Sequence, residues 1–288
     1  PSGKTRTRAV RLPYLPHRMG RVILHIGTLK TGTTSFQRWF SDNASAISAA
    51  TGCKWFRGAF PDAREIAAAC IDDGRQTPAM ALGFFPERGS HEWTAWRTGV
   101  IESVKTQVTA AEAAIVVSCE ALCLLRTPTE MHRLAELFDP TTTEIVLTLR
   151  SPAGFLSSWK QHLEHDFFRR SSDPGSFAYV ADDSWLVDYD ALKNAYADTV
   201  RGRFTVIDYD SSLALDGSII PALVATFTDV PLDSLPEWRT YRLNRSARPP
   251  RKPVKGLARP RHYIRWWRWK VAQATRNRVA RRRGTNTR

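Results

Sequence analysis

No apolar run in this 288-residue chain approaches the roughly 18 residues that a membrane-spanning helix needs, which excludes an integral helix. Cysteine is scarce. Cys53, Cys70, Cys119 and Cys123 are too few for a disulfide framework, and a reducing compartment is expected. Acidic residues are missing from both ends. Residues 245–288 hold 16 Lys/Arg and residues 1–21 hold six, with no Asp or Glu in either stretch. The formal charge of +14 therefore belongs to the ends, because residues 22–244 carry 20 bases against all 28 acids, a net of −8. The basic first 20 residues also lack the apolar core of a signal peptide, so a cytoplasmic location is expected. No internal repeat or long low-complexity tract is present. What remains is a body of ordinary globular composition, 42% hydrophobic and 24% charged, in a length that suits one large α/β domain or two small ones.

Short runs rich in β-branched residues mark four buried strands: residues 21–26 (RVILHI), 114–118 (AIVVS), 144–149 (EIVLTL) and 204–208 (FTVID). Between them lie helical patterns over residues 35–50, 62–71, 92–113, 130–138 and 185–200, and a helix beginning at Pro152 and running through Trp159. Strand, helix, strand in this alternation predicts an α/β fold, with a central parallel sheet flanked by helices in three layers. Residues 75–90 and 166–183 carry Gly, Pro, Ser and Asp without periodicity and are expected to be loops, of the length that often covers a site.

The segment from Gly27 to Ser35 (GTLKTGTTS) joins the first strand to the first helix. That is the placement a phosphate cradle needs: glycines let the backbone turn tightly, and successive N–H groups with the helix N-terminus face an anion. Gly27 and Gly32 keep the spacing of a nucleotide P-loop, but the Lys-Ser/Thr expected next is replaced by Thr33 and Thr34, and the lysine sits earlier, at Lys30. The grouping suits a metal-free anion clamp of one ammonium and two hydroxyls. Cys119 and Cys123 lack partners at zinc spacing, so no metal site is expected.

The stretch from His25 to Ser35 resembles the 5′-phosphosulfate loop of the sulfotransferases that use 3′-phosphoadenosine 5′-phosphosulfate (PAPS), above all their bacterial and carbohydrate-acting members. A second stretch, residues 144–159, is similar to that family's 3′-phosphate motif. It implies that Arg150 at a strand end and Ser158 eight residues later hold the 3′-phosphate, with Ser157 as the alternative register. The resemblance further implies a P-loop-like fold and donor contacts from Lys30, Thr31, Gly32, Thr33, Thr34 and Ser35. It also implies a polar donor contact near Ser118 and an aromatic near the adenine at Tyr209, which otherwise reads as a core-edge tyrosine. Relatives place the catalytic base, His or Glu, where Glu120 follows the second strand. Glu120 otherwise reads as a helix-start carboxylate, and His162 is the second candidate base. Lys30 would neutralise the leaving phosphate. His25 reads as a packed core residue. One of Arg242, Arg245 and Arg248 would close over the 3′-phosphate.

By this reading residues 1–20 form a basic arm, 21–248 the catalytic domain and 249–288 a second basic arm. The expected reaction moves a sulfuryl group from PAPS to an acceptor hydroxyl, of a carbohydrate or glycolipid, and leaves adenosine 3′,5′-bisphosphate. Tyr263, Trp266, Trp267 and Trp269 lie among cations in residues 261–283, a composition suited to an anionic membrane surface. A disordered basic tail is the alternative, and nucleic acid is not the expected partner. Two other function classes remain open: a Mg²⁺-dependent P-loop kinase of a small molecule, and a non-catalytic binding module acting through its arms.

Overall fold

The computed structural model describes residues 20–165 and 168–241. Most of the two basic arms, with Arg242, Arg245, Arg248 and residues 261–283, lies outside the described residues. The order of elements is β1 (Arg21–Gly27), α1 (Thr33–Asp42), α2 (Ala44–Thr51), β2 (Cys53–Trp55), α3 (Arg64–Cys70), α4 (Pro78–Ala81) and α5 (His91–Thr109). There follow β3 (Ala114–Ser118), a 3₁₀ turn over Glu120–Leu124, α6 (Pro128–Leu137), β4 (Thr143–Leu149) and α7 (Pro152–His165). A 3₁₀ turn over Trp185–Val187 leads to α8 (Tyr189–Thr199), β5 (Phe204–Asp208), α9 (Tyr209–Asp216), α10 (Ile220–Phe227) and a last 3₁₀ turn over Leu232–Ser234. The five strands form one parallel sheet in the order β2-β3-β1-β4-β5.

The central strand shows why both faces are covered. Side chains alternate across a strand, and β1 sends Val22, Leu24 and Ile26 into one core and Ile23 into the other. The first core gathers Ile66 and Ala67 from α3, Val104 from α5, Leu134 from α6, Trp159 from α7 and Tyr196 from α8. The second gathers Phe36, Trp39 and Phe40 from α1, Ile47 from α2, and Leu223 and Phe227 from α10. Each aromatic or aliphatic side chain buried this completely contributes about 1.5–3 kcal/mol. The result is a three-layer α/β fold, as the alternation of the sequence predicts.

The departures are local and have physical causes. The helix expected over 35–50 breaks at Asn43, whose side-chain amide donates to the Trp39 carbonyl at 2.8 Å and ends α1 there. Strand β2 is three residues long, too short for a periodic signal. Within the expected loop 75–90, Thr77 accepts from the Met80 N–H and starts the short α4 behind Pro78. The pattern over 185–200 divides where Asp188 caps α8 by accepting from the Ala191 N–H at 2.9 Å. Among the described residues, no helix is long and apolar enough to cross a membrane.

Candidate active site

In an open parallel sheet, ligands meet the carboxyl ends of the strands. Here the β1–α1 loop, Glu120 and Arg150 all leave that edge, from β1, β3 and β4. The loop is bolted to β4 by two bonds to the Thr148 carbonyl, from the Thr28 N–H at 2.9 Å and the Thr28 hydroxyl at 3.2 Å. Gly27 is tightly enclosed, because a Cβ there would meet the Thr33 and Thr31 hydroxyl oxygens at 2.6 and 2.8 Å and displace them. Gly32 precedes α1 with φ 72°, and a Cβ there would press on the Tyr209 ring at 3.2 Å. Lys30 adopts φ 71°, a left-handed conformation uncommon for a residue with a side chain. Such geometry concentrates where a loop must present groups to a ligand. No side chain caps α1.

The hydroxyls of this loop do different things. Thr31 donates to the Thr28 carbonyl at 2.6 Å and lies 3.3 Å from the Thr33 hydroxyl. Thr33 in turn bonds the Glu120 carboxyl. Thr34 is exposed, whereas Ser35 is buried in the first turn of α1. Glu120 begins a 3₁₀ turn and is partly buried. Burial pushes its carboxyl up to about 7, with the Asp62 charge acting in the same direction; Arg64, Lys30 and the Thr33 bond pull against them. The carboxylate expected at a helix start is thus also a group that titrates near neutrality, between a lysine and an arginine.

Arg150 follows β4 as expected. Its guanidinium lies 5.4 Å from the Tyr209 ring centroid, and its Nε is 3.7 Å from Asp210 Oδ1. Asp210 is held by the Ser151 N–H at 3.0 Å. Burial works against the Asp210 charge, but the bonds from Ser151 and the nearby Arg150 hold its carboxyl below the usual range. Gly154 keeps this space open, since a Cβ there would lie 3.1 Å from Arg150 Nε and 2.7 Å from the Ser151 hydroxyl. Arg150 Nε is buried yet makes no hydrogen bond. On α7, Ser158 is partly sheltered while Ser157 is exposed. Tyr209 links the two halves of the site, with its ring against both Gly32 and Arg150.

One residue that the sequence patterns do not point to joins this group. Tyr189, the first residue of α8, has a buried hydroxyl close to Thr28 that makes no well-formed hydrogen bond. Burial pushes its pKa up, and Asp210 and Arg150 lie near enough to act on it. His162 stands elsewhere on α7 with its ring 4.8 Å from Trp159. His25 is a core residue, 1% exposed, sharing hydrogen bonds with the Ser118 hydroxyl at 2.9 Å and the Thr148 hydroxyl at 3.1 Å. Burial drives its pKa down to about 3. Ser118 is therefore engaged inside the sheet, by His25 and by the Gln37 amide at 3.2 Å, rather than turned toward a ligand. Burial raises the thiols of Cys119 and Cys123, the latter to about 12, so both pack as inert side chains. Among the described residues, no three His, Cys, Asp or Glu side chains gather to hold a metal ion.

The chain is similar to a solved sulfotransferase from Alicyclobacillus acidocaldarius, at 16% identity and a TM-score of 0.46, over 75% of this chain and 84% of that one. It is also similar to the sulfotransferase domain from the curacin biosynthetic pathway, at 12% identity and a TM-score of 0.42, over 78% of this chain and 79% of that one. No protein-family model and no curated protein matches it.

Proposed function

We propose that this chain is a sulfotransferase that moves a sulfuryl group from PAPS to an acceptor hydroxyl. One observation carries the reading: the half-buried Arg150, whose Nε makes no hydrogen bond and lies 3.7 Å from Asp210 Oδ1, is joined through the Tyr209 ring to a strained Gly/Lys/Thr loop at the start of α1. Two anion-seeking sites held at a fixed separation suit a donor with phosphate at both its 3′ and 5′ positions. The buried Tyr189 hydroxyl, close to Thr28 and within the influence of Arg150, is a further group on the 3′ side.

Sulfuryl transfer, like phosphoryl transfer, depends on positioning and charge neutralisation more than on covalent help. Lys30 neutralises charge growing on the leaving phosphate, while Thr31, Gly32, Thr33, Thr34 and Ser35 frame the 5′ end. Arg150 and Ser158 hold the 3′-phosphate and so exclude nucleotides that lack it. Glu120, a carboxyl poised near neutrality, takes the proton of the attacking hydroxyl. Thr33 touches both the loop and this base, so it couples donor binding to the orientation of the base.

The acceptor side is read as a carbohydrate or glycolipid, in keeping with the loop's likeness to carbohydrate-acting members of the family. The basic residues 261–283 would bring the enzyme to an anionic membrane surface from the cytoplasm. The test is release of adenosine 3′,5′-bisphosphate from PAPS, with a panel of glycan acceptors and a chelator present. Acceptor-dependent release in the chelator is the expected result. No release with any acceptor, together with Mg²⁺-dependent phosphorylation of one of them by ATP, favours the kinase class.

A further inference from the structure

We infer that His25, held in one tautomer with its proton on Nε2, is a positioning residue whose buried ring ties the strand ends that carry Glu120 and Arg150 to the strand that carries the β1–α1 loop. The inference deepens the sulfotransferase reading and rests on it for the roles of the groups so placed. His25 lies on β1, shortly before Gly27 leads into the loop. On one side its Nδ1 is 2.9 Å from the hydroxyl of Ser118, the last residue of β3, just ahead of Glu120. On the other its Nε2 is 3.1 Å from the hydroxyl of Thr148, next to last in β4, just ahead of Arg150. The backbone repeats the tie. The Cys119 N–H donates to the His25 carbonyl at 3.0 Å, and the Thr28 N–H donates to the Thr148 carbonyl at 2.9 Å. Three strands that bear the site thus meet at one imidazole, 1% exposed.

The direction of each bond follows from the groups involved. A carbonyl only accepts, so the part of Gln37 that lies 3.1 Å from the Ser118 carbonyl is its NH₂. The same NH₂ is 3.2 Å from the Ser118 hydroxyl oxygen and donates to it. The Ser118 proton is then left for His25 Nδ1, which must be unprotonated to accept it. A neutral imidazole with a bare Nδ1 carries its proton on Nε2, and that N–H donates to the Thr148 hydroxyl. The other tautomer would aim Nδ1–H at the Ser118 oxygen and strand the serine's own proton in the core, an unpaired buried donor. Gln37 belongs to α1, so the chain of bonds runs on into the helix that the loop opens.

The surroundings keep the ring neutral. Facing it are the Ser118 and Thr148 hydroxyls, the Gln37 amide beyond Ser118, and the Phe36 ring, which meets it edge-on at 5.6 Å. None of these titrates, and burial alone drives the imidazole down to about 3. The neutral, directional form therefore persists through the range in which Glu120 titrates. Thr148 faces two ways, with its hydroxyl on His25 and its carbonyl on Thr28. A shift of β3 would carry the base with it and a shift of β4 would carry the arginine. The ring that bonds both strands holds their separation about the loop.

The experiment has two parts, both on the full chain. The first is nitrogen-15 NMR of the histidine rings, with His25 assigned by the signals lost in His25→Gln. An unprotonated Nδ1 and a protonated Nε2, unchanged from about pH 8 to about pH 5, are expected. A proton on Nδ1, a mixture of tautomers or a titration within that range overturns the inference. The second is titration calorimetry with adenosine 3′,5′-bisphosphate and with adenosine 5′-phosphate. Thr148→Val deletes the hydroxyl that Nε2–H meets and leaves the carbonyl that holds Thr28. Bisphosphate affinity is expected to fall by about five- to tenfold and 5′-phosphate affinity to stay within about twofold, because the arginine end of the site is what shifts. Thr148→Ser restores the hydroxyl and is expected to restore the preference. General loosening of the sheet would weaken both ligands together, so a loss shared by both, or a loss of neither, overturns the positioning role. Should Thr148→Val fail to fold, His25→Asn takes its place: its amide can still accept from Ser118 but cannot reach Thr148, and the same split is expected. Wild-type protein that binds neither ligand ends the sulfotransferase reading and the role of His25 with it. Wild-type protein that prefers the bisphosphate, with variants that keep that preference, ends the inference alone.

Discussion

Glu120→Gln is expected to lower turnover by about 10²–10⁴, roughly 3–5 kcal/mol of transition-state stabilisation, with donor affinity nearly unchanged. The amide keeps the size and one hydrogen-bond acceptor for the Thr33 hydroxyl but cannot take a proton. The pH dependence follows from the sign of the shift. Burial raises the carboxyl to about 7, so the active, ionised form accumulates as pH rises through that value. Wild-type turnover should rise with pH across this range, and the limb should vanish in the variant. The matching measurement is His162→Ala on the same acceptor. Retained turnover in Glu120→Gln with loss in His162→Ala would transfer the role of base to His162.

Arg150→Ala is expected to weaken binding of adenosine 3′,5′-bisphosphate by about 30-fold or more, at least ~2 kcal/mol, as for truncation of a sheltered charged partner. The analogue without the 3′-phosphate should lose almost nothing, so the preference between the two should collapse. Asp210 strengthens the expectation. With the arginine gone, this half-exposed carboxylate, held by the Ser151 N–H, faces the phosphate without an intervening cation. Isothermal titration of both ligands against both proteins checks it. An unchanged preference would show that another residue reads the 3′ position.

How far the chain could be read before its structure depended on the range of the physics involved. Strands β1, β3 and β4 are apolar runs buried on both faces and β5 is a half-exposed edge run rich in β-branched residues, a signal carried by five to seven neighbours, and all four lie within a residue of the expected bounds. Glycines at 27 and 32 announced the loop, because close approach of the Thr31 and Thr33 hydroxyls at the first and a left-handed backbone at the second favour glycine. Strand β2 borrows its stability from β3 and leaves almost no local trace. The surroundings of Glu120 were illegible for a similar reason. Asp62 and Arg64 stand more than fifty residues before it, and only packing of α3 on the following turn brings their charges to bear. Tyr189 escaped notice because one tyrosine at a helix start has no spacing pattern. Its meaning lies in a hydroxyl buried beside Thr28 and under the charges of Asp210 and Arg150, a setting made only by the fold. Ser118 shows the reverse case, since the family resemblance implied a donor contact there while the hydroxyl is shared with the buried His25 and the Gln37 amide.

The central claim is that the site holds phosphate at two places and reads both. Thermal unfolding of the full chain with adenosine 3′,5′-bisphosphate in a chelator, set beside ATP with Mg²⁺, tests it most directly. A ligand that binds only the folded state at ~100 times its Kd adds about 2.7 kcal/mol. The bisphosphate should give that stabilisation without metal, and ATP with Mg²⁺ should give much less. Equal or greater stabilisation by ATP with Mg²⁺, and none by the bisphosphate, would contradict the claim.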